Sequence, residues 1–237
     1  MSRLVMVRHA QASLGEPDYD RLSEVGEEQA RRLGSHWADE RTVFDRVFIG
    51  PRQRHQRTAA IVGNILTKRG LAWPEPLTVA EADEYAGLEV FRLGLPLLAG
   101  RDPVVREQAE RWQRAPSGPS LELLRLFQSV LEVWVKGDLD VPGVETWREF
   151  RARAQRGLDQ ILEAGAGGKS ILVVTSTGPV AVALDRAVGL DDARLLEASW
   201  QLRNTSVSEF LFSPPRFTMS VFNALPHLND PGLVTRI

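Results

Sequence analysis

Three short stretches of this chain place cations and hydroxyls where an anion could be held. Arg8-His9 follows the apolar run 4–7, Arg52-Gln53-Arg54 follows the run 46–49 and a Gly50-Pro51 break, and Ser176-Thr177-Gly178 follows the run 171–175. A guanidinium grips phosphate through two parallel donors and keeps its charge at any physiological pH. A helix N-terminus adds free backbone N–H groups and a favourable dipole. Two arginines, one histidine, two hydroxyls and helix starts gathered at one place make an anion site, and phosphate is the anion they fit. Helical spacing singles out Arg54 among its basic neighbours. It lies one turn before Thr58, in line with Ile61 and Ile65, and so points to the buried side, whereas Arg52 and Arg57 read as surface charges.

The elements that must bring these stretches together follow from the apolar pattern. Runs at 4–7, 46–49 and 171–175 are each followed by a loop and a helical stripe. Ser23 caps the first helix, whose stripe is Val25, Ala30, Leu33 and Trp37. Pro51 suits the first position of the second helix and Gly70 its C′ residue. Gly178-Pro179 starts the helix after 171–175, which ends near Gly189. The rhythm predicts an α/β fold, a mainly parallel sheet flanked by helices on both faces. Ligands bind such sheets beyond the carboxyl ends of the strands, where the three stretches lie. Segments 206–212 and 217–222 read as a terminal hairpin or an adjacent strand pair. The region of about 85–142 shows no strand pattern. Helical spacing over 102–114 and 120–136, with a turn at 115–120, marks it as a helical insertion roofing the pocket. The whole of 1–237 reads as a single domain.

Composition bounds the function. The chain has 237 residues, 29 Lys plus Arg against 31 Asp plus Glu, and a net charge of −2. That balance carries no nucleic-acid footprint. Zero cysteines exclude disulfides, thiolate catalysis and cysteine-ligated zinc or iron–sulfur clusters. The four histidines, His9, His36, His55 and His227, show no metal-ligand spacing. No stretch is long and apolar enough to span a bilayer. The expectation is a cytoplasmic protein with no metal and no cofactor, bound to neither nucleic acid nor membrane. Its partner is a small phosphorylated metabolite or a phosphate anion. Two features lead elsewhere. The glycine-rich 165–170 ends like a P-loop but runs helix to strand, and Trp37, Trp112, Trp134 and Trp147 fall on helices, where a core role fits best.

The order and spacing of the blocks resemble the histidine phosphatase superfamily, the phosphoglycerate mutase-like proteins. Arg8-His9-Ala10 resembles its Arg-His-Gly, Leu22-Ser23-Glu24-Val25-Gly26 its Leu-Thr-x-x-Gly, and Gly50 through Ala59 its Ser-x-x-x-Arg-Ala-x-x-Thr-Ala. Glu145-Thr146 with Phe150 and Arg153, and Arg203-Asn204-Thr205-Ser206, resemble two later blocks. The chain departs from the family at Ala10, in place of the usual Gly, at Gly50, in place of a common Ser, and at His55, where a small residue is usual. The serious departure is at the last strand, where the family has Ser-His-Gly-Gly and this chain has Thr175-Ser176-Thr177-Gly178-Pro179. By the resemblance, Ser176 stands in the place of the second catalytic histidine.

The resemblance implies a phosphomonoester hydrolase acting through a phosphohistidine on His9. A neutral imidazole can attack phosphorus and split a slow reaction into two easier steps, and the ordinary histidine pKa of about 6.5 makes the neutral form accessible. Arg8 and Arg54 would hold the phosphoryl oxygens, with Ser176 and Thr177 as further donors at a helix start. The proton donor is one of Glu81, Asp83 and Glu84, with Glu84 chosen because Glu-Tyr best matches the family. Glu145 braces the helix at 147. Without a second imidazole, turnover should be weak, since one preorganised donor is worth about 10²–10³ in rate. No other histidine is expected to fill the gap, although His55, next to Arg54, is placed best to do so. Two alternatives share the fold: a catalytically silent module that binds a phosphate ligand, and a mutase-like phosphotransferase.

Overall fold

The computed structural model describes residues 1–13, 16, 18–114 and 121–236. Among these, six strands form one sheet in the order β3-β2-β4-β1-β5-β6. β1 (Ser2–Arg8), β2 (Arg46–Ile49), β3 (Leu77–Thr78) and β4 (Ser170–Thr175) run parallel. β5 (Val207–Ser213) and β6 (Arg216–Ala224) are the expected hairpin, antiparallel and paired onto β1. The sheet is thus mixed, with a parallel centre flanked by helices as the sequence implied.

Its two faces can be read from the strand period of two. Leu4 and Met6 of β1, Phe48 of β2, and Ile171 and Val173 of β4 pack on one side with Leu158 and Ile161 of α6 (Trp147–Ala164) and Val180 and Ala183 of α7 (Thr177–Val188). The alternate residues Val5, Val7, Val47, Ile49, Leu172 and Val174 pack on the other. There they meet Leu33 and Trp37 of α1 (Glu24–Asp39) and Val62 and Leu66 of α2 (Gln53–Lys68). Apolar on both faces, β1 and β4 belong at the centre, as buried parallel strands do.

Caps set several boundaries. Ser23 accepts from Gly26 N–H at the start of α1, and Thr146 forms a capping box with Glu149 at the start of α6. Gly70 follows α2 with φ +74°, the left-handed conformation expected of a C′ glycine. α2 itself starts later than the sequence implied, at Gln53 rather than Pro51. The reason is tertiary: Asp20, from a distant loop, accepts from Gln53 N–H at 2.7 Å and caps the helix there.

The insertion is helical. α4 (Pro103–Arg114) and α5 (Leu121–Val135) lie where expected, and the turn assigned to 115–120 falls outside the described residues. α3 (Gly87–Arg101), which the sequence reading missed, precedes them. Gly94, Pro96 and Gly100 mask its periodicity, and burial of Val90, Leu95 and Leu98 against neighbouring helices compensates for poor propensity. α8 (Asp192–Gln201) was also missed; it is short and capped by Asp191. Together these helices close a second core around Tyr85, Trp134, Trp147 and Phe150, which also takes in Ala181 and Val182 of α7. Phe150, 0% exposed, contacts the Tyr85 and Trp147 rings at centroid distances of 5.5 and 5.3 Å. Truncating it opens a cavity joining α6 to the insertion. Phe150→Ala should cost about 3–5 kcal/mol, read as a lower urea midpoint with an unchanged slope.

Candidate active site

The sheet register brings the three stretches together. Arg8 pairs with Thr175 across β1 and β4, and Ile49 pairs with Val174 across β2 and β4. His9, Gly50 and Ser176 therefore leave three adjacent strands at one level. Two backbone bonds carry the ladder past its end: His9 N–H to Thr175 O at 2.8 Å and Gly50 N–H to Val174 O at 2.9 Å. From the other side, Thr205, at φ +57°, donates its N–H to Arg8 O at 3.0 Å, and Asn204 Nδ2 donates to His9 O at 3.1 Å.

His9 is 4% exposed. Its Nδ1 lies 2.7 Å from Ala10 O, which can only accept, so Nδ1 carries the ring proton. Nε2 keeps its lone pair and faces Arg54 Nε, which donates to it at 3.1 Å. Burial, then Arg8, Arg54 and His55, push the His9 pKa well below its ordinary value, against a smaller opposing effect of the Ala10 bond. The ring is held neutral, in one tautomer, with its nucleophilic nitrogen turned toward a cation.

Arg54, on the first turn of α2, is 6% exposed and lies on the buried side as its spacing required. Besides His9, its Nη1 pairs with Asp20 at 2.6 Å and its Nη2 reaches Ser176 Oγ at 3.5 Å. Tyr19 lies against its face, 5.6 Å from the guanidinium carbon. Arg8 Nη1 donates to Leu202 O at 2.5 Å. Desolvation lowers its pKa to about 10, partly offset by Glu84, so it stays charged near neutrality. Arg52 pairs with Asp83 and Arg57 with Glu27, both at the surface as expected.

Of the three candidate acids, only Glu84 reaches the Ser176–Gly178 block. Its Oε2 accepts from Thr177 N–H at 3.0 Å and Thr177 Oγ1 at 2.8 Å. Its Oε1 accepts from Gly178 N–H at 2.9 Å and Tyr85 N–H at 3.1 Å. Asp83 is tied to Arg52, and Glu81 packs its Cβ against Gly157 of α6. This geometry changes the parts given to Ser176 and Thr177. Thr177, expected to donate to phosphate, gives both its donors to Glu84. Ser176 occupies the N-cap position of α7 yet makes no capping bond. The free N–H groups of α7 are satisfied by a carboxylate from elsewhere, which leaves the Ser176 hydroxyl without a capping task.

The expectation that no other imidazole comes near is not met. His55, 0% exposed, sits with Nε2 2.7 Å from Ser176 Oγ, and its ring centroid lies 5.5 Å from that of His9. Burial first, then Arg54 and Arg52, push its pKa well below the ordinary value. His36 and His227 form a separate pair, 6.4 Å between centroids. His227 Nε2 bonds Thr205 Oγ1 at 2.9 Å, and burial lowers its pKa to about 4.

Three supporting residues escaped the sequence reading. Asp20 lies in a polar loop with no local signal. Asn204 was placed in a block but given no task. Arg153 proves to be a clamp: its Nη1 donates to Glu81 O and Asp83 O at 3.0 and 3.1 Å, its Nη2 donates to Glu84 O at 3.3 Å, and Glu145 holds it at 2.5 Å. Glu145 thus braces the acid loop through Arg153, while Thr146 caps the helix. Among the described residues, no group of three or more His, Asp or Glu side chains converges as a metal cluster would, and no helix is long and apolar enough to cross a membrane.

Solved structures share this architecture. The α-ribazole phosphatase of Shigella flexneri superposes with a TM-score of 0.62 at 19% identity, covering 94% of this chain and 96% of its own. The phosphoglycerate mutase of Bacillus anthracis str. Sterne gives 0.62 at 19%, covering 95% and 94%. A mycobacterial glucosyl-3-phosphoglycerate phosphatase, solved with inorganic phosphate, gives 0.62 at 18%, covering 96% and 99%. At these identities the likeness concerns the fold. No curated protein matches the chain by sequence. The sequence pattern of one family, however, matches residues 4–74 and 106–225, most of the chain and the blocks that build the site. With that match, the chain belongs to the histidine phosphatase superfamily, branch 1.

Proposed function

We propose that this protein hydrolyses phosphomonoesters of small metabolites through a phosphohistidine on His9. The His9 ring carries the reading: one nitrogen is committed to Ala10 O and the other keeps a lone pair beside Arg54. In the first step His9 Nε2 bonds to phosphorus, the ester P–O bond breaks, and the leaving oxygen takes a proton. In the second, water attacks phosphorus, the N–P bond breaks, and inorganic phosphate leaves while the water's proton passes to the acid. Arg8 and Arg54 neutralise the non-bridging oxygens. The incoming phosphoryl group takes over the Arg54 donors that His9 and Ser176 otherwise accept. Against the family pattern, Ser176 stands where a second histidine is usual.

We assign the acid to Glu84. Four donors fix its position at the start of α7, where it would accept the water's proton in the second step. In the first step it passes to the leaving oxygen the proton that a substrate phosphate monoanion brings with it.

Three outcomes test this reading. A labelled activated phosphoester should leave an acid-labile, base-stable label on the protein, and the label should vanish in His9→Ala; a label that persists there removes His9 as nucleophile. Glu84→Gln keeps an amide oxygen for the helix N–H groups but cannot move a proton. It should slow hydrolysis of an alkyl phosphate by about 10²-fold or more, and of an aryl phosphate with an acidic leaving group far less; equal losses on both would rule out the proton-transfer role. Finally, the His9 pKa is depressed, so the neutral nucleophile persists as pH falls through the ordinary histidine value of 6.5. The His9 ring resonances should show no protonation across that value, unlike those of an exposed histidine.

A further inference from the structure

We infer that His55, on α2, supplies the second imidazole of the phosphate site and acts on the bound phosphoryl group through the Ser176 hydroxyl. The inference rests on the phosphohistidine reading and adds to it a residue that the sequence position of the family's second histidine could not reveal. Three observations carry it.

The first is the bond itself. His55 Nε2 lies 2.7 Å from Ser176 Oγ, a hydroxyl that is 0% exposed and belongs to the strand end beside His9. The second is convergence. Arg54 Nη2 approaches the same oxygen at 3.5 Å, and a guanidinium can only donate. Nδ1 of His55 makes no hydrogen bond of its own, so the inference places the ring proton on Nε2, which then donates to Ser176 Oγ. The serine's own proton is left for a third partner, and stays so when that partner draws Arg54 Nη2 away. A phosphoryl oxygen held over His9 Nε2 is that partner. His55 makes and breaks no bond to phosphorus. It orients a donor and, as a polar ring 5.5 Å from His9, stabilises the charge that gathers there.

The third observation is the space. A Cβ added at Gly50 would lie 2.3 Å from His55 Nδ1 and 2.8 Å from its Cε1. The imidazole therefore fits only because residue 50 has no side chain. Any buried imidazole needs a polar partner. What sets this one apart is that its partner is the strand-end hydroxyl beside His9 and that Gly50 leaves the space for it. Gly50, His55 and Ser176 depart together from the pattern the chain otherwise follows, and in the structure they touch. Within this unit His55 is a positioning residue, since Ser176 stands between it and the substrate.

The test is a mutant cycle on an aryl phosphate, with folding checked by thermal melting and phosphohistidine formation followed by rapid quench. His55→Ala should lower kcat by about 10²-fold with little change in KM, as expected for a group felt mainly in the transition state. Ser176→Ala, a mild change because that side chain caps nothing, should give a similar loss. The double variant should be no slower than either single one, because both delete the same device. His55→Gln, which keeps a donor on a buried side chain, should recover part of the rate. His55→Ala/Ser176→His should recover more, by returning an imidazole to the strand end. Full-rate adduct formation in His55→Ala, or additive losses in the double variant, would overturn the inference while leaving His9 in place. An absence of adduct in the wild type would instead remove the phosphohistidine reading.

Discussion

Two guanidinium groups held side by side under the surface are the constraint around which this site is built. Arg8 and Arg54 are brought to the same strand end by register, and their mutual repulsion and desolvation must be met locally. Several of their donors have fixed destinations, while Arg8 Nε is buried without a partner. Arg8 reaches the Leu202 carbonyl, and Arg54 reaches Asp20, His9 and Ser176. Burial is the first cause that pushes both imidazoles toward the neutral form, and neighbouring arginines add to it, Arg8 and Arg54 at His9 and Arg54 and Arg52 at His55. A phosphate anion entering this place meets positive charge already paid for by folding, which is how a preorganised site lowers a barrier. Glu84 completes the balance from the far side. It neutralises the start of α7 and lies close enough to Arg8 to raise that residue's pKa against burial.

The acid loop shows how the fold reaches the chemistry from a distance. Segment 81–84 has little regular structure, yet three of its carbonyls are fixed by one side chain, Arg153, two turns into α6. Arg153 is in turn oriented by Glu145 and lies over the Phe150 ring. Thr175 Oγ1 adds a fourth tie, to Ala82 O at 2.6 Å. The helical insertion packs on this same group through Tyr85 and Phe150, so the insertion core and the position of Glu84 share a support. A loop clamped by a helix residue can hold a carboxylate within the narrow tolerance that proton transfer needs.

What the sequence revealed here was what depends on local pattern. The parallel centre, the terminal hairpin, the helix stripes and the strand-end cluster of Arg8, His9, Arg54 and Ser176 could all be read, because period, turn residues and block spacing are local signals. What escaped was set by contacts remote in the chain. Asp20 caps α2 across 33 residues, Arg153 grips a segment about 70 residues away, and α3 is helical through burial rather than propensity. The role of Thr177 was misjudged for the same reason. A hydroxyl at a helix start reads as a donor to ligand until a distant carboxylate is found to have claimed it.

His55 is the sharpest case. On a helix two neighbouring residues point about 100° apart, so Arg54 and His55 diverge: one faces His9, the other Ser176 and the backbone end of β2. In the proposed reading, the serine at the family's second-histidine place is compensated in space by a ring arriving from α2. The exchange nearly conserves volume in the pocket wall, since a ring enters where Gly50 withdraws a side chain, and close-packed interiors tolerate such swaps far better than net gains or losses. A phosphate site recognises donors by position and charge, without regard to which element carries them. Block-by-block comparison of the sequence is therefore blind to this kind of compensation, and the contact between Gly50, His55 and Ser176 is where it becomes visible.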